Sequence, residues 1–353
     1  MADLLAIQGL RTWFHTRAGV ARAVNDVSFA IQPGETLALV GESGSGKSVT
    51  AYSILRLINE PGRIEAGKIL FNGTDLLKLD DKGIRSIRGD RVAMIFQEPL
   101  SAFNPVQTVG AQIVEAIRLH RRIGRRAAYH RAMELLEQVG IPSPAKRVHE
   151  FPHRLSGGMR QRAMIALALA CEPDLLIADE PTTALDVTTQ AQILKLLKSL
   201  QAENGMGLLL ITHDLGVVAE TADRAAVMYA GRVVEEGLVA TLFTRPFHPY
   251  TAGLLASVSI DDLPPGARLP EIPGTVPSLL VMPRGCAFAE RCPYAAGTDG
   301  CLDHAPAFLP VADDHRVACF RTPPTPRPPL HAEATGEAAG ALLPLDAAAR
   351  VVA

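Results

Sequence analysis

Gly41-Glu-Ser-Gly-Ser-Gly-Lys-Ser48 follows directly on the apolar run Thr36–Val40 and leads into Val49. Glycines at 41, 44 and 46 let successive backbone N–H groups curl around phosphate, with Glu42, Ser43 and Ser45 between them. Lys47 supplies a mobile positive charge, and Ser48 offers a hydroxyl to Mg²⁺. A second octapeptide, Leu155-Ser-Gly-Gly-Met-Arg-Gln-Arg162, stands just ahead of Leu175-Leu-Ile-Ala-Asp-Glu180. Ser156, Gly157 and Gly158 open a helix there, so a hydroxyl and free N–H groups face outward at the positive end of the dipole. That is an anion site in a chain that already has one, and it makes sense only if it faces a second phosphate loop.

Two acids adjoin at the end of an apolar strand. Asp179 reaches the sheet edge beside the phosphates, where it can hold Mg²⁺ together with Ser48. Glu180 points the other way and can take a proton from an attacking water. Gln97, at the end of Val92–Phe96, has an amide that both donates and accepts, which suits a ligand to Mg²⁺ or to the lytic water. His213 follows Leu208–Thr212, where ligands gather in open α/β sheets. In isolation, a lone Gln is surface decoration and a lone His a structural residue. The phosphate loop is what promotes both.

These side chains require a framework of alternating elements. Thr36–Val40, Val92–Phe96, Leu175–Ala178 and Leu208–Thr212 are short apolar runs of the kind buried in parallel sheets. Leu4–Pro33 suggests short strands with a turn at Arg17-Ala18-Gly19. Helices are predicted after the phosphate loop through Ile58, from Val106 to about Gly140, and from about Val187 to Ala202. The fold class is therefore α/β, a mostly parallel sheet covered on both faces.

The chain has 353 residues, 48% of them apolar, enough for a sizeable core. Its formal net charge of −2 gives no reason to expect a charge-driven nucleic-acid binder. No uncharged apolar run approaches the roughly 18–20 residues that cross a bilayer. There is no signal-peptide layout, so a cytoplasmic protein is expected, one that needs partner chains for any membrane role.

The phosphate loop, Gln97, Leu155–Arg162, Asp179-Glu180, Ala184-Leu185-Asp186 and His213 occur in the order of an ATP-binding cassette domain. The resemblance covers about the first two-thirds of the chain. It implies a RecA-like P-loop core with an antiparallel β subdomain and a helical subdomain at about 100–172, the whole over 1–243. It implies ATP and Mg²⁺ as cofactors, with ATP held by Gly41–Val49 and by Ser156, Gly157, Gly158 and Gln161 of a second subunit. Asp186 would cross the dimer interface, Glu180 would be the base, and His213 the switch at the γ-phosphate. Phe14 is chosen as the aromatic that stacks on adenine, with Trp13 the rival and a core role open for either.

Two further segments sharpen the resemblance. Phe96–Pro105 lies where the family docks a coupling helix of the membrane subunit. Arg245-Pro-Phe-His-Pro-Tyr-Thr251 is similar to the hallmark of the oligopeptide and dipeptide importer ATPases. Residues 244–321 are read as that C-terminal extension and 322–353 as a disordered tail. Cys286, Cys292, Cys301 and Cys319 read C-x5-C-x8-C-x17-C. The subfamily implies a [4Fe–4S] cluster on them, with zinc or plain buried thiols as the other readings.

The resemblance implies ATP-driven import of dipeptides or oligopeptides at the cytoplasmic face of the inner membrane. Its partners would be a second ATPase subunit, two permeases and an extracytoplasmic binding protein, with no nucleic acid. Nickel or another small solute is the alternative cargo. A soluble ATPase acting on nucleic acid is the further alternative, with Arg121-Arg-Ile-Gly-Arg-Arg126, His130 and Arg131 as its patch; a solvated helix face is the blander account.

Overall fold

The computed structural model describes residues 3–183, 185–257 and 271–321. The expected tail 322–353 lies outside the described residues, as does Ala184. Twelve strands among the described residues form two sheets. They are β1 (Leu5–Thr16), β2 (Gly19–Ile31), β3 (Thr36–Val40), β4 (Gly62–Phe71), β5 (Thr74–Asp75) and β6 (Val92–Ile95), then β7 (Leu175–Asp179), β8 (Gly207–Thr212), β9 (Arg224–Tyr229), β10 (Arg232–Leu238), β11 (Leu309–Ala312) and β12 (His315–Val317).

The larger sheet runs β11-β12-β10-β9-β3-β8-β7-β6 and the smaller β2-β1-β4-β5. Its centre, β9-β3-β8-β7-β6, is parallel. All residues of β3, β7 and β8 are buried, as strands covered on both faces must be. The smaller sheet is antiparallel, and β1 and β2 are longer than the short strands expected, with bulges that bend them.

Helix α1 (Lys47–Ile54) ends before the expected Ile58, because Arg56 turns into left-handed backbone at φ 52. After α2 (Asp81–Ile87) and the single turn α3 (Pro99–Ala102) comes α4 (Val109–His120), capped by Thr108. Gly124 then starts α5 (Arg125–Gln138), so the helical stretch expected from Val106 to Gly140 is broken in two. The short α6 (Pro144–Arg147) leads to α7 (Gly157–Ala168). Val109, Ile113, Ile117, Leu135, Leu136, Ala163 and Ile165 fill one core under β6–β8. A second core joins the two sheets through Leu5, Leu10, Val24, Leu37, Ile54 and Ile69.

Helices α8 (Val187–Asn204) and α9 (Leu215–Thr221) cover the sheet, and α10 (Val239–Thr244) and α11 (Pro249–Ala256) follow β10. The C-terminal segment is more regular than its proline content suggested. Its strand β12 pairs with β10 and so extends the main sheet. Glu235, fully buried in β10, ties the pieces together: its carboxylate accepts from the N–H groups of Phe247 (2.6 Å) and His248 (2.9 Å) and pairs with His315 Nε2 at 2.9 Å.

Removing that acceptor strands three buried donors. Glu235→Ala is expected to lower the folding free energy by about 3 kcal/mol. Urea denaturation of the nucleotide-free protein measures this, and a loss under about 1 kcal/mol would contradict the assignment of Glu235 as the hub.

Candidate functional site

The phosphate-loop candidate occupies the end of β3, where its glycines meet backbone. A Cβ on Gly41 (φ 150) would stand 2.2 Å from the Met228 carbonyl oxygen, and one on Gly46 (φ 104) would stand 2.3 Å from that of Ala23. Both positions therefore require glycine. Gly46 in left-handed backbone also caps α1. Gly44 (φ 76) is different, because a Cβ there would meet nothing of its own chain within 4 Å. Ser43 and Gly44 are exposed, whereas Ser45 and Lys47 are buried.

Lys47 Nζ donates to the carbonyls of Gly41 (2.7 Å) and Glu42 (3.0 Å). Burial lowers its pKa, opposed by the charges of Glu180, Asp179 and Glu42. Ser48 Oγ donates to Asp179 Oδ1 at 3.0 Å. The other oxygen, Asp179 Oδ2, is buried with no hydrogen-bond partner. Burial raises the Asp179 pKa, and adjacent Glu180 adds to the effect. An orphaned carboxylate oxygen beside a hydroxyl fits a divalent cation, which would satisfy it and cancel its charge.

Three residues singled out from distant segments converge here. Glu180 Oε2 accepts from Gln97 Nε2 at 2.9 Å, and Glu180 Oε1 lies 3.3 Å from His213 Nδ1. Thr183 Oγ1, which sequence reasoning passed over, also donates to Glu180 Oε2 at 2.9 Å. Glu180 itself sits at φ 46, left-handed backbone that a glutamate rarely adopts, held by its N–H on the Ile211 carbonyl.

The glycine-led helix start lies elsewhere on the surface of the chain. Ser156 caps α7, its Oγ accepting from the Met159 N–H at 3.4 Å, and both Ser156 and Gly157 are exposed. Gly158 is confined by Thr189, 2.9 Å from a built Cβ, while Gly157 would meet nothing of its own chain. Gln161 is buried on the inner side of α7, with its Nε2 unpartnered. Asp186 caps α8 through Thr189 N–H (2.9 Å) and Oγ1 (2.7 Å), bonds that lower its pKa.

Phe14 and Trp13 are both half-buried in β1. A Cβ on Gly62 would touch the Phe14 ring at 2.7 Å, whereas the Arg22 guanidinium lies 5.2 Å from the centroid of Trp13. Two arginines of the basic stretch are tied to their own chain. Arg121 bonds Asp90 (2.6 Å) and the Cys171 carbonyl (2.7 Å), and Arg131 bonds Glu172 at 2.9 Å.

The four late cysteines gather in one small lobe. Cys286 N–H donates to the Cys301 carbonyl at 2.8 Å, and burial pushes the Cys286 thiol up to about 11, with Cys319, Cys301 and Cys292 adding to it. Soft thiols are the right donor type for iron or zinc. Among the described residues, however, no three of His, Cys, Asp or Glu stand in an arrangement that could hold a metal ion. No helix among them is long and apolar enough to cross a membrane.

Comparison with known proteins gives the same outline. The family model for ABC transporters matches residues 24–183, and that for the oligopeptide/dipeptide transporter C-terminal region matches 234–301. The chain is 51% identical over 323 residues to "Probable peptide ABC transporter ATP-binding protein y4tR" of Sinorhizobium fredii, covering 91% of this chain and 96% of that one. It is 52% identical over 315 residues to "Oligopeptide transport ATP-binding protein OppD" of Bacillus subtilis, covering 89% and 87%. Among solved structures it resembles the dimeric bacterial ABC transporter cassette MJ0796, with TM-score 0.61 and 28% identity over 67% of this chain and 98% of that one.

A raised carboxyl pKa means that the ionised form costs stability above that pKa; the cost fades as the pH falls through the raised pKa and is gone below the ordinary carboxylate range. Asp179→Asn keeps an acceptor for Ser48 and removes the buried charge. The nucleotide-free variant is expected to melt about 2–4 °C above the wild type, the shift that ~1 kcal/mol produces in a domain of this order of size. A lower melting midpoint would show that the carboxylate stabilises the empty site.

Proposed function

We propose, since this chain belongs to the ATP-binding cassette transporter family, that it is the ATP-hydrolysing subunit of an importer of dipeptides or oligopeptides. The observation that carries the mechanism is the convergence of Gln97, His213 and Thr183 on the Glu180 carboxylate beside the Ser48–Asp179 pair. The peptide cargo rests on the C-terminal match and on the names of the relatives.

In this reading Gly41–Val49 hold the phosphates through backbone N–H groups, and Lys47 exchanges its two carbonyl partners for phosphate oxygens. Ser48, Asp179 and Gln97 would hold Mg²⁺, which would supply charge neutralisation on the phosphates. Glu180 accepts the proton of the attacking water, with Gln97 and Thr183 fixing its carboxylate. His213, its side chain 64% exposed, is free to reach the γ-phosphate. Phe14 stacks on adenine, with Trp13 as its rival. Residues 1–243 form the ATPase unit, 244–321 the transporter-specific extension.

The open side of that pocket is closed by a second subunit. Gly157 has no steric need for glycine within its own chain, which is accounted for if a partner's nucleotide approaches Ser156–Gly158. Asp186 then lies across the junction. Each charge-assisted contact to the γ-phosphate contributes roughly 1.5–3 kcal/mol. Swinging a pair of subunits from open to closed takes about 5.5 kcal/mol, so two or three contacts at each of two sites suffice. Hydrolysis removes them and the clamp reopens, driving two permeases fed by an extracytoplasmic binding protein from the cytoplasmic face of the membrane.

The lobe of Cys286, Cys292, Cys301 and Cys319 is proposed to take up a [4Fe–4S] cluster after the thiols rearrange. Four iron and four sulfide per chain in anaerobically purified protein, with a broad visible absorption band, are expected; zinc or metal-free protein sinks this part alone.

Glu180→Gln is expected to bind ATP, lose turnover by roughly 10²–10⁴-fold, as for removal of a general base, and accumulate a closed dimer. Size-exclusion chromatography with ATP and a phosphate-release assay check it. Near-normal hydrolysis would remove Glu180 from this role.

A further inference from the structure

The phosphate loop is held from outside the ATPase core, at the residue that follows its first glycine. Arg291 lies 249 positions away in sequence from Glu42, on the short turn Ala289–Arg291 between Cys286 and Cys292. Its Nη1 donates to Glu42 Oε2 at 2.7 Å and its Nη2 to Glu42 Oε1 at 3.0 Å, a bidentate fork on one carboxylate. The remaining donors are also used. Nε bonds the Pro273 carbonyl at 2.9 Å, Nη2 the Ile272 carbonyl at 3.1 Å, and Nη1 reaches Tyr229 Oη at 3.4 Å. The side chain is 4% exposed and lies against the rings of Tyr229 and Phe288.

A second contact reaches the same residue by its backbone. The Glu42 N–H donates to Tyr250 Oη at 2.9 Å. Tyr250 is fully buried, and its place follows from the His-Pro-Tyr-Thr segment: Glu235 anchors the His248 N–H, His248 Nδ1 accepts from the Tyr250 N–H at 3.1 Å, and Pro249 starts α11. Tyr229, Tyr250 and Phe288 pack as one aromatic cluster behind the loop, with ring centroids 4.6–5.5 Å apart.

We propose that Arg291 and Tyr250 are positioning residues for nucleotide binding, through which the C-terminal lobe sets the affinity of the phosphate loop. Arg291 cancels the charge of a carboxylate that would otherwise face a triphosphate, and Tyr250 fixes the Gly41–Glu42 peptide, whose carbonyl also receives Lys47. A lysine cannot reproduce the fork. The lobe is thereby a condition for ATP binding rather than an appendage, and damage to its packing is felt at the nucleotide.

This inference rests on Gly41–Ser48 being the ATP loop, and the test separates the two. Equilibrium binding of Mg·ATP to the purified full chain is measured for Arg291→Met, Arg291→Lys, Tyr250→Phe and Lys47→Ala, each also with Glu42→Gln. Arg291→Met is expected to weaken ATP roughly tenfold with Glu42 present but less than about threefold in the Glu42→Gln background, a coupling of at least about threefold, within the range for residues in contact. Arg291→Lys should fall between, and the loss should appear in KM with kcat at saturating ATP little changed.

Equal losses in the two backgrounds, or none, would overturn the proposal and leave Arg291 a packing residue of the lobe. If Arg291→Met does not fold, the same cycle on Arg291→Lys decides. Retention of ATP binding by Lys47→Ala would instead sink the nucleotide reading itself.

Discussion

The backbone of the glycine-rich loop is wedged between the ends of β3 and β9 and the body of β2, and at Gly41 and Gly46 no side chain fits. Gly41 abuts the Met228 carbonyl at the end of β9, and Gly46 abuts Ala23 in β2. The turn after β9 adds direct bonds, from Gly231 N–H to the Ser45 carbonyl and from Asn25 N–H to the Gly231 carbonyl, at 2.9 and 2.7 Å. The loop is thus shaped by the junction of the two sheets before any ligand arrives. Ordering on folding rather than on binding is what the proposed role asks of it, a preformed cradle of backbone N–H groups for anionic oxygens.

The same junction explains why the site tolerates features that cost stability. Glu180 holds left-handed backbone, Asp179 keeps a buried oxygen without a partner, and Lys47 is buried among carbonyls. Each is unfavourable alone and is sustained by rigid parallel strands on either side. Together they present an unpartnered carboxylate oxygen and a buried ammonium held by neutral acceptors. In the proposed reading Mg²⁺ would satisfy the first and a triphosphate would replace the neutral partners of the second, so binding energy would come from relieving the site as well as from new contacts.

Much of this was legible in the sequence because it is local. A glycine-rich loop after an apolar run, acids at a strand end and a serine ahead of two glycines are short-range patterns with short-range causes. The parallel strands β3, β6, β7 and β8 were readable as continuous apolar runs for the same reason. The β9–β10 hairpin was passed over: its two-residue turn is Ala230-Gly231, and an alanine at φ 46 does not advertise a turn. Thr183 beside Glu180 was hidden as one threonine among several. The halves of the helical region were merged because Gly124 carries a helix start without a side-chain cap.

What the sequence could not display is contact across the chain. His-Pro-Tyr-Thr was recognisable as a family marker, yet nothing in it pointed to the Glu42 N–H that Tyr250 accepts from. Arg291, next to Cys292, carries no signal of its own in the sequence. Its fork on Glu42 exists because β12 joins the main sheet through β10 and Glu235 bonds both His315 and the segment before α11. That arrangement brings the cysteine lobe against the aromatic cluster behind the loop. A terminal extension added only for docking would have no reason to enter the sheet of its host. This one shares that sheet, shares a core with β9 through Tyr229, Tyr250 and Phe288, and places a buried arginine on the half-buried Glu42 of the glycine-rich loop. Chemistry at the phosphates and packing around the cysteines are therefore parts of one folded unit.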